Sequence, residues 1–169
     1  MDESIHRLIK NYSSARTSWE TWCFLNDIDM KKSSKVIREM CSNNELFYHF
    51  RYLALKDVHI ELYKLLKEGC SSKDNIFKFL RNDSNDHSEL LEEFKKLDHE
   101  IEAIKNARDK MYAHLDPDFS DFMTSFKVND FYIVFDLIEK SIIALGYETQ
   151  LLDALKLIPS RNEFELIEK

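Results

Sequence analysis

The sequence predicts an all-α protein, built as a bundle of about five to seven helices. Chain breakers are scarce, because the chain holds only 2 Gly and 2 Pro, and this argues against a sandwich or barrel of many short strands. Several stretches carry apolar residues at the three-or-four-residue spacing of an amphipathic helix. With 169 residues, of which 44% are hydrophobic, the chain suits one domain with a real core.

Composition and charge limit the classes of function. The chain is 33% charged with a net charge of −7, so we expect a soluble protein whose contact with nucleic acid, if any, uses a local basic patch. The three cysteines are odd in number, lack metal-site spacing and fit reduced thiols in a cytosol: Cys23, Cys41 and Cys70. No apolar run suits a signal peptide or membrane span. We therefore expect a cytoplasmic protein without membrane contact, metal or cofactor.

The first half of the chain contains three predicted helices. Apolar spacing predicts an amphipathic helix over residues 4–25 and a short helix over residues 33–41. A long helix follows over residues 45–68, and Gly69 is expected to close it in the usual C-terminal position.

The second half continues the helical pattern. A capping box at residues 71–74 predicts the start of a short helix, and Pro117 ends a long one, because the residue before a proline is excluded from the α region. The predicted helices of this half span residues 74–80, 88–115, 129–145 and 148–157, and Gly146 is expected to end the third of them. One domain is therefore expected over residues 1–158, followed by a charged tail at 159–169.

The stretch from Lys105 to Pro117 stands out, because it crowds Arg, Asp, Lys and His at the end of a strong helical pattern. In the register of helix 88–115, Arg108 falls within the apolar arc, where a leucine would be expected. A guanidinium keeps its charge, so a partly buried one needs a carboxylate, a carbonyl or a bound anion as partner. The sequence leaves open which of these Arg108 meets.

Two carboxylates show the opposite anomaly in helix 45–68, where Asp57 and Glu61 lie one turn apart within the apolar face. Buried charges usually meet each other or a charged ligand. The simplest prediction is that the two helices pack face to face and that Asp57 or Glu61 approaches Arg108. Alternatively, each acid reaches solvent or bonds a tyrosine hydroxyl.

His114 follows Arg108 by six residues, a step that leaves the two side chains about 120° apart in an ideal α-helix. They share a face only if the helix tightens, bulges or ends between them, and Asp116-Pro117 favours an ending. A histidine at such an end can titrate near neutral pH and exchange protons, although a solvated or carbonyl-bonded histidine is the more common case.

Residues 108–116, Arg-Asp-Lys-Met-Tyr-Ala-His-Leu-Asp, resemble the signature of the HEPN superfamily. That signature is an Arg, an Asn or Asp beside it, and a His several residues later. The Arg-Asp-Lys start and the Ala-His-x-Asp end are most similar to the AbiU-type abortive-infection branch. The resemblance extends more weakly over residues 1–157, through the helix that carries Asp57 and the all-helical layout.

The resemblance implies an HEPN-like helical bundle and a homodimer in which the two motifs meet. It also implies a metal-independent endoribonuclease, acting on RNA as a toxin or phage-defence effector, with an antitoxin protein as a further partner. By similarity, Arg108 and His114 would be the catalytic pair, with Asp109 in support. Some HEPN toxins have a Tyr two residues after the His, which a partner nucleotidyltransferase modifies, but Asp116 stands there in this chain.

The chemistry that the resemblance implies is physically consistent, because RNA carries its own nucleophile, the ribose 2′-hydroxyl. His114 would act as general acid or base, Arg108 would hold the scissile phosphate, and Asp109 would orient one of them. Lys105 and Tyr112 are expected to bind substrate. The supporting residues expected around them are Asp57, Glu61, Lys110 and Asp116.

Two other interpretations remain open. Some HEPN proteins lack nuclease activity, so the chain could be a non-catalytic HEPN-like module that binds a nucleotide, RNA or a partner protein. The motif could also be a chance match in an unrelated bundle, in which Asp57, Glu61 and Arg108 form only a structural network.

Overall fold

The computed structural model describes residues 3–26, 45–69, 74–112 and 127–158. These residues form seven α-helices and one π-helical turn, with no strand among them, so the predicted all-α bundle of five to seven helices is confirmed. The helices are α1 (Glu3–Leu25), α2 (Glu45–Leu66), α3 (Ile76–Asn82), α4 (Ser88–Lys96), α5 (Asp98–Asn106), α6 (Val128–Ala144) and α7 (Glu148–Leu155), and the π-helical turn is Ala107–Tyr112. Within the described ranges, no helix has the length and hydropathy that a membrane span requires.

Helix α1 is the centre of the core, and it matches the predicted helix 4–25. Trp19 is fully buried and stacks on Phe131 of α6, with ring centroids 4.6 Å apart. The Tyr12 hydroxyl donates a hydrogen bond to the Glu139 carboxylate of α6. Burial raises the pKa of Tyr12 far above its usual value, and this hydrogen bond raises it further. Stacking and hydrogen bonding therefore hold α6 against α1.

Helices α1 and α2 pack side by side in opposite directions. Arg51 of α2 donates to Asn26 just after α1, at 3.4 Å, and Ser18 of α1 donates to Asp57 of α2, at 2.6 Å. The first turns of α2 therefore extend past the end of α1 at Leu25. This explains why the apolar side chains of Leu46 and Phe50 are 54% and 44% exposed.

The two glycines differ in their roles at helix ends. Gly146 has φ 84°, and its N–H donates to the Ile143 carbonyl at 2.8 Å, so the predicted glycine closure of α6 is confirmed. The same prediction for Gly69 is wrong, because α2 ends at Leu66 and Gly69 does not adopt a positive φ. The last turn of α2 is instead continued by Lys67, whose N–H donates to the Tyr63 carbonyl at 2.9 Å.

Helix α3 begins later than predicted. Its N-cap is Asn75, whose side chain accepts a hydrogen bond from the Lys78 N–H at 2.9 Å. Residues 71–73 of the predicted capping box lie outside the described residues, as do the predicted helix 33–41 and the charged tail 159–169. The remaining predicted helices of this half start within a residue or two of their expected positions.

The predicted continuous helix 88–115 is wrong, since the structure divides it. A tightened turn at Leu97, whose N–H donates to the Phe94 carbonyl at 3.0 Å, separates α4 from α5. Phe94 and Ile101 are both buried on the two sides of this turn, so the apolar pattern continues although the backbone hydrogen bonding does not. After Asn106 the backbone widens into the π-helical turn, which carries the start of the motif.

Candidate functional site

The candidate site is built where α5 runs into the π-helical turn. Helix α2 packs against both α5 and the turn, and Ala107 is fully buried at the junction. The next residue, Arg108, projects outward with its side chain 39% exposed. Single π-helical turns within α-helices are rare and are frequent at functional sites.

Two groups hold the Arg108 guanidinium. Its Nη1 donates to Asp109 Oδ1 at 2.6 Å, and its Cζ lies 4.5 Å from the centre of the Tyr63 ring on α2. The ring faces the cation at the distance of a cation–π interaction. Among the described residues, Asp109 is the sole hydrogen-bond partner of Arg108. The other guanidinium donors therefore remain available to an anion.

The predicted ion pair of Arg108 with Asp57 or Glu61 is wrong. Asp57 accepts a hydrogen bond from Ser18, and Glu61 pairs with Lys64 on its own helix. The helices do pack against each other as expected, but the turn meets the Tyr63 side of α2. Each step along an α-helix turns by about 100°, so Glu61 and Tyr63, which are two positions apart, point in nearly opposite directions.

Tyr63 and Lys67 are contacts of this site that the sequence analysis did not select. Lys67 Nζ lies 4.9 Å from the centre of the Tyr63 ring, so two cations share this ring. The available signal was an aromatic residue followed one helical turn later by a lysine, a pair that faces the same way on a helix. Such pairs are common on helices, and this one indicates a site only because Arg108 contacts the same ring in the structure.

Lys105, expected to bind substrate, lies on a neighbouring groove. Its side chain is 28% exposed and its Nζ is 3.6 Å from Glu102. The groove has a volume of about 400 Å³, and Phe77 and Phe94 are among the apolar residues that line it. The lining also carries both signs of charge, because it includes Arg81, Lys95, Lys105, Glu68, Glu92 and Asp98.

Several predicted site residues are not described by the structure. His114 and Asp116 lie outside the described residues, so their distances to Arg108 stay predictions. Lys110 and Tyr112 belong to the backbone of the π-helical turn, but their side chains are likewise outside the description. The structure therefore brings Arg108 and Asp109 together and separates both from Asp57 and Glu61.

A buried histidine on α2 does not provide an alternative proton-transfer group. His59 is 1% exposed, and its Nδ1 lies 2.7 Å from the Leu55 carbonyl. Burial lowers its pKa to about 4, so its ring is neutral at pH 7 and shielded from a surface ligand. Within the described part of the chain, no group of His, Cys, Asp and Glu side chains has the geometry of a metal site.

Fold and site together define a helical bundle with a guanidinium presented on a π-helical turn. No protein-family model matches the chain, and comparisons with curated proteins and with solved structures also find no match.

Proposed function

We propose that this protein is a metal-independent endoribonuclease with an HEPN-like site, in which Arg108 and His114 cleave RNA through the ribose 2′-hydroxyl. The observation that carries the proposal is the presentation of Arg108. Its guanidinium is held by Asp109 and Tyr63, and its side chain is partly exposed. Among the described residues, its other N–H donors have no hydrogen-bond partner. A planar fork of donors matches the two oxygens of a phosphate and stabilises the charge that develops on it.

Asp109 has the role of an orienting group in this proposal. Its side chain is 51% exposed, and because it is adjacent to Arg108 in the chain, their hydrogen bond joins no two helices. Its hydrogen bond fixes one end of the guanidinium before substrate arrives, and such preorganisation lowers the barrier of a phosphoryl reaction.

His114 supplies the proton transfer. It removes the proton of the 2′-hydroxyl or protonates the leaving oxygen, and a second copy of the chain in a homodimer provides the other histidine. The helix ending that Asp116-Pro117 favours is the condition under which His114 reaches Arg108, since a wide π-helical turn by itself does not bring the two side chains onto one face. Lys105 and Lys110 add positive charge near the turn.

The biological role that fits this activity is a cytoplasmic toxin or phage-defence effector with RNA as its substrate and an antitoxin protein as its regulator. The resemblance of residues 108–116 to the HEPN signature supports this role. The net charge of −7 is compatible with it, because an acidic protein binds RNA only through a local cationic site.

The test uses the purified protein and a panel of single-stranded and structured RNAs in buffer containing EDTA. We expect cleavage that leaves 2′,3′-cyclic phosphate ends, and we expect His114→Ala to abolish it while circular dichroism and oligomeric state remain unchanged. RNA that stays intact with wild-type protein, but binds to it, would favour the non-catalytic module. Cleavage that EDTA abolishes would contradict the metal-independent mechanism.

A further inference from the structure

Two cations converge on one aromatic ring beside the motif. Arg108 Cζ lies 4.5 Å and Lys67 Nζ lies 4.9 Å from the centre of the Tyr63 ring. The two charges therefore cannot be farther apart than the sum of these distances. Like charges at this separation repel each other weakly through water, and the cation–π contact of each group with the ring opposes that repulsion.

The surrounding lysines differ from Lys67 in their partners. Lys64 pairs with Glu61 on α2, and Lys105 approaches Glu102 on α5. Among the described residues, no carboxylate pairs with Lys67. The chain has a net charge of −7. Lys67, without a carboxylate partner among the described residues, and Arg108, which uses one of its donors for Asp109, therefore form a local positive site.

The position of Lys67 at the end of α2 gives it one structural role. A cation there interacts favourably with the last carbonyls and the helix dipole. That role does not require its ammonium to lie over the ring of Tyr63, which Arg108 also contacts, since Lys64 on the last turn of α2 can fill the same role. The placement of two cations on one ring is what an anion with two negative groups could use.

We propose that Tyr63, Lys67 and Arg108 form a two-phosphate subsite for single-stranded RNA. Arg108 binds the scissile phosphate, Lys67 binds a neighbouring phosphate of the same strand, and Tyr63 is a positioning residue that holds both cations on its ring. This inference rests on the proposed ribonuclease function for the assignment of the scissile phosphate. The binding of two phosphates by Lys67 and Arg108 stands without catalysis.

The first experiment measures binding of a fluorescent single-stranded oligoribonucleotide with a 2′-O-methyl backbone, which lacks the nucleophile. Loss of one phosphate contact in Lys67→Gln should weaken binding about fivefold at 0.1 M salt and reduce the slope of log K against log salt by about 0.7. Lys156→Gln, just after α7, removes the same charge elsewhere, since Lys156 pairs with Asp153, and it should leave the slope unchanged. Equal slopes for Lys67→Gln and wild type would overturn the subsite.

The second experiment tests Tyr63 by comparing Tyr63→Phe with Tyr63→Leu on cleavable RNA. Tyr63→Phe keeps the ring and should keep kcat and KM within about twofold, whereas Tyr63→Leu should lower kcat by about tenfold through a misplaced guanidinium. If Tyr63→Leu does not fold, the Lys67→Gln binding slope still decides the proposal. Equal kcat values for folded Tyr63→Leu and wild type would remove the positioning role.

The two proposals fail in distinguishable ways. Binding that depends on Lys67, with no cleavage by wild type, would overturn the ribonuclease function and keep the subsite. Cleavage by wild type together with full binding and activity of Lys67→Gln would keep the ribonuclease function and overturn the subsite.

Discussion

Two arginines of this protein have matching surroundings and different positions. Arg81 of α3 pairs with Glu68 and lies over the Phe77 ring at 5.8 Å, and Arg108 pairs with Asp109 and lies over the Tyr63 ring at 4.5 Å. The Arg81 pair is separated by 13 residues and connects α3 to the chain after α2. The Arg108 pair joins adjacent residues, so its carboxylate connects no elements.

The difference teaches how to separate a structural cation from a ligand-binding one. An ion pair that bridges two elements contributes to the fold, if only weakly at an exposed position. An ion pair between neighbours in sequence connects no elements and instead orients the two side chains that form it. Each arginine has one carboxylate and one aromatic ring as partners, so Arg81 is a matched control for Arg108.

The largest expected effect is on RNA cleavage by Arg108→Ala. Loss of a guanidinium that stabilises the transition-state charge should lower kcat by at least about 100-fold. Arg81→Ala should cleave within about twofold of wild type, and both variants should show the same circular dichroism spectrum. Comparable losses of kcat in the two variants would show that the motif has no special role.

The acids of the two pairs sharpen the same comparison with a smaller effect. Asp109→Asn should lower kcat by about tenfold, because the guanidinium loses its charged orienting partner. Glu68→Gln should leave kcat unchanged and can only alter stability. Initial cleavage rates at saturating RNA measure both effects, and full activity of Asp109→Asn would count against an orienting role.

A double-mutant cycle at Arg81 and Glu68 tests the structural side of the comparison. Their side chains are 54% and 49% exposed, so we expect a coupling free energy of about 1 kcal/mol or less. Urea unfolding of wild type, Arg81→Ala, Glu68→Ala and the double variant gives this value. A coupling well above that limit would mean that Arg81 is too strongly bound to serve as a control.

The smallest expected effect is a pH effect next to Arg81, in the segment that joins α3 to α4. The hydrogen bond from His87, 2.8 Å from Asp83 Oδ2, is the main cause that lowers the pKa of Asp83 below 3.8. A lowered folded-state pKa contributes stability that is present above pH 3.8 and is lost as the pH falls through the folded value.

Carboxyl NMR titration checks this effect. The Asp83 midpoint should lie below 3.8 in wild type and move toward that value in His87→Ala. An unchanged midpoint in His87→Ala would mean that the backbone and side-chain contacts with Asn85, rather than His87, dominate the shift.

The helices of this protein were predictable where the signal is local. Apolar spacing located α1, α6 and α7, and a glycine marked the end of α6, because periodicity and turn chemistry depend on neighbouring residues. The break at Leu97 and the π-helical turn were not predictable, because the apolar pattern continues through Phe94, Ile101 and Ile104. At both places only the pattern of backbone hydrogen bonds changes, and this pattern depends on tertiary packing.

Arg108 could be selected from the sequence as an unusual charge, but its contacts could not be predicted. Arg108 stood out as a charge within an apolar arc, and the need for a partner followed from its fixed charge. Which side of α2 meets the turn is a tertiary property, so the sequence selected Asp57 and Glu61 where the structure has Tyr63.

The π-helical turn has a consequence for tolerance to deletion. A turn with i→i+5 hydrogen bonds holds an extra residue, so removing one residue within 109–111 would restore ordinary α-helical pairing. Because the wide turn already absorbs the extra residue, its removal would leave the direction of the chain that follows nearly unchanged and would shorten the Arg108–His114 spacing by one residue. Single-residue deletions here should therefore be well tolerated by folding, and their effect on activity would report whether the spacing of the two motif residues matters.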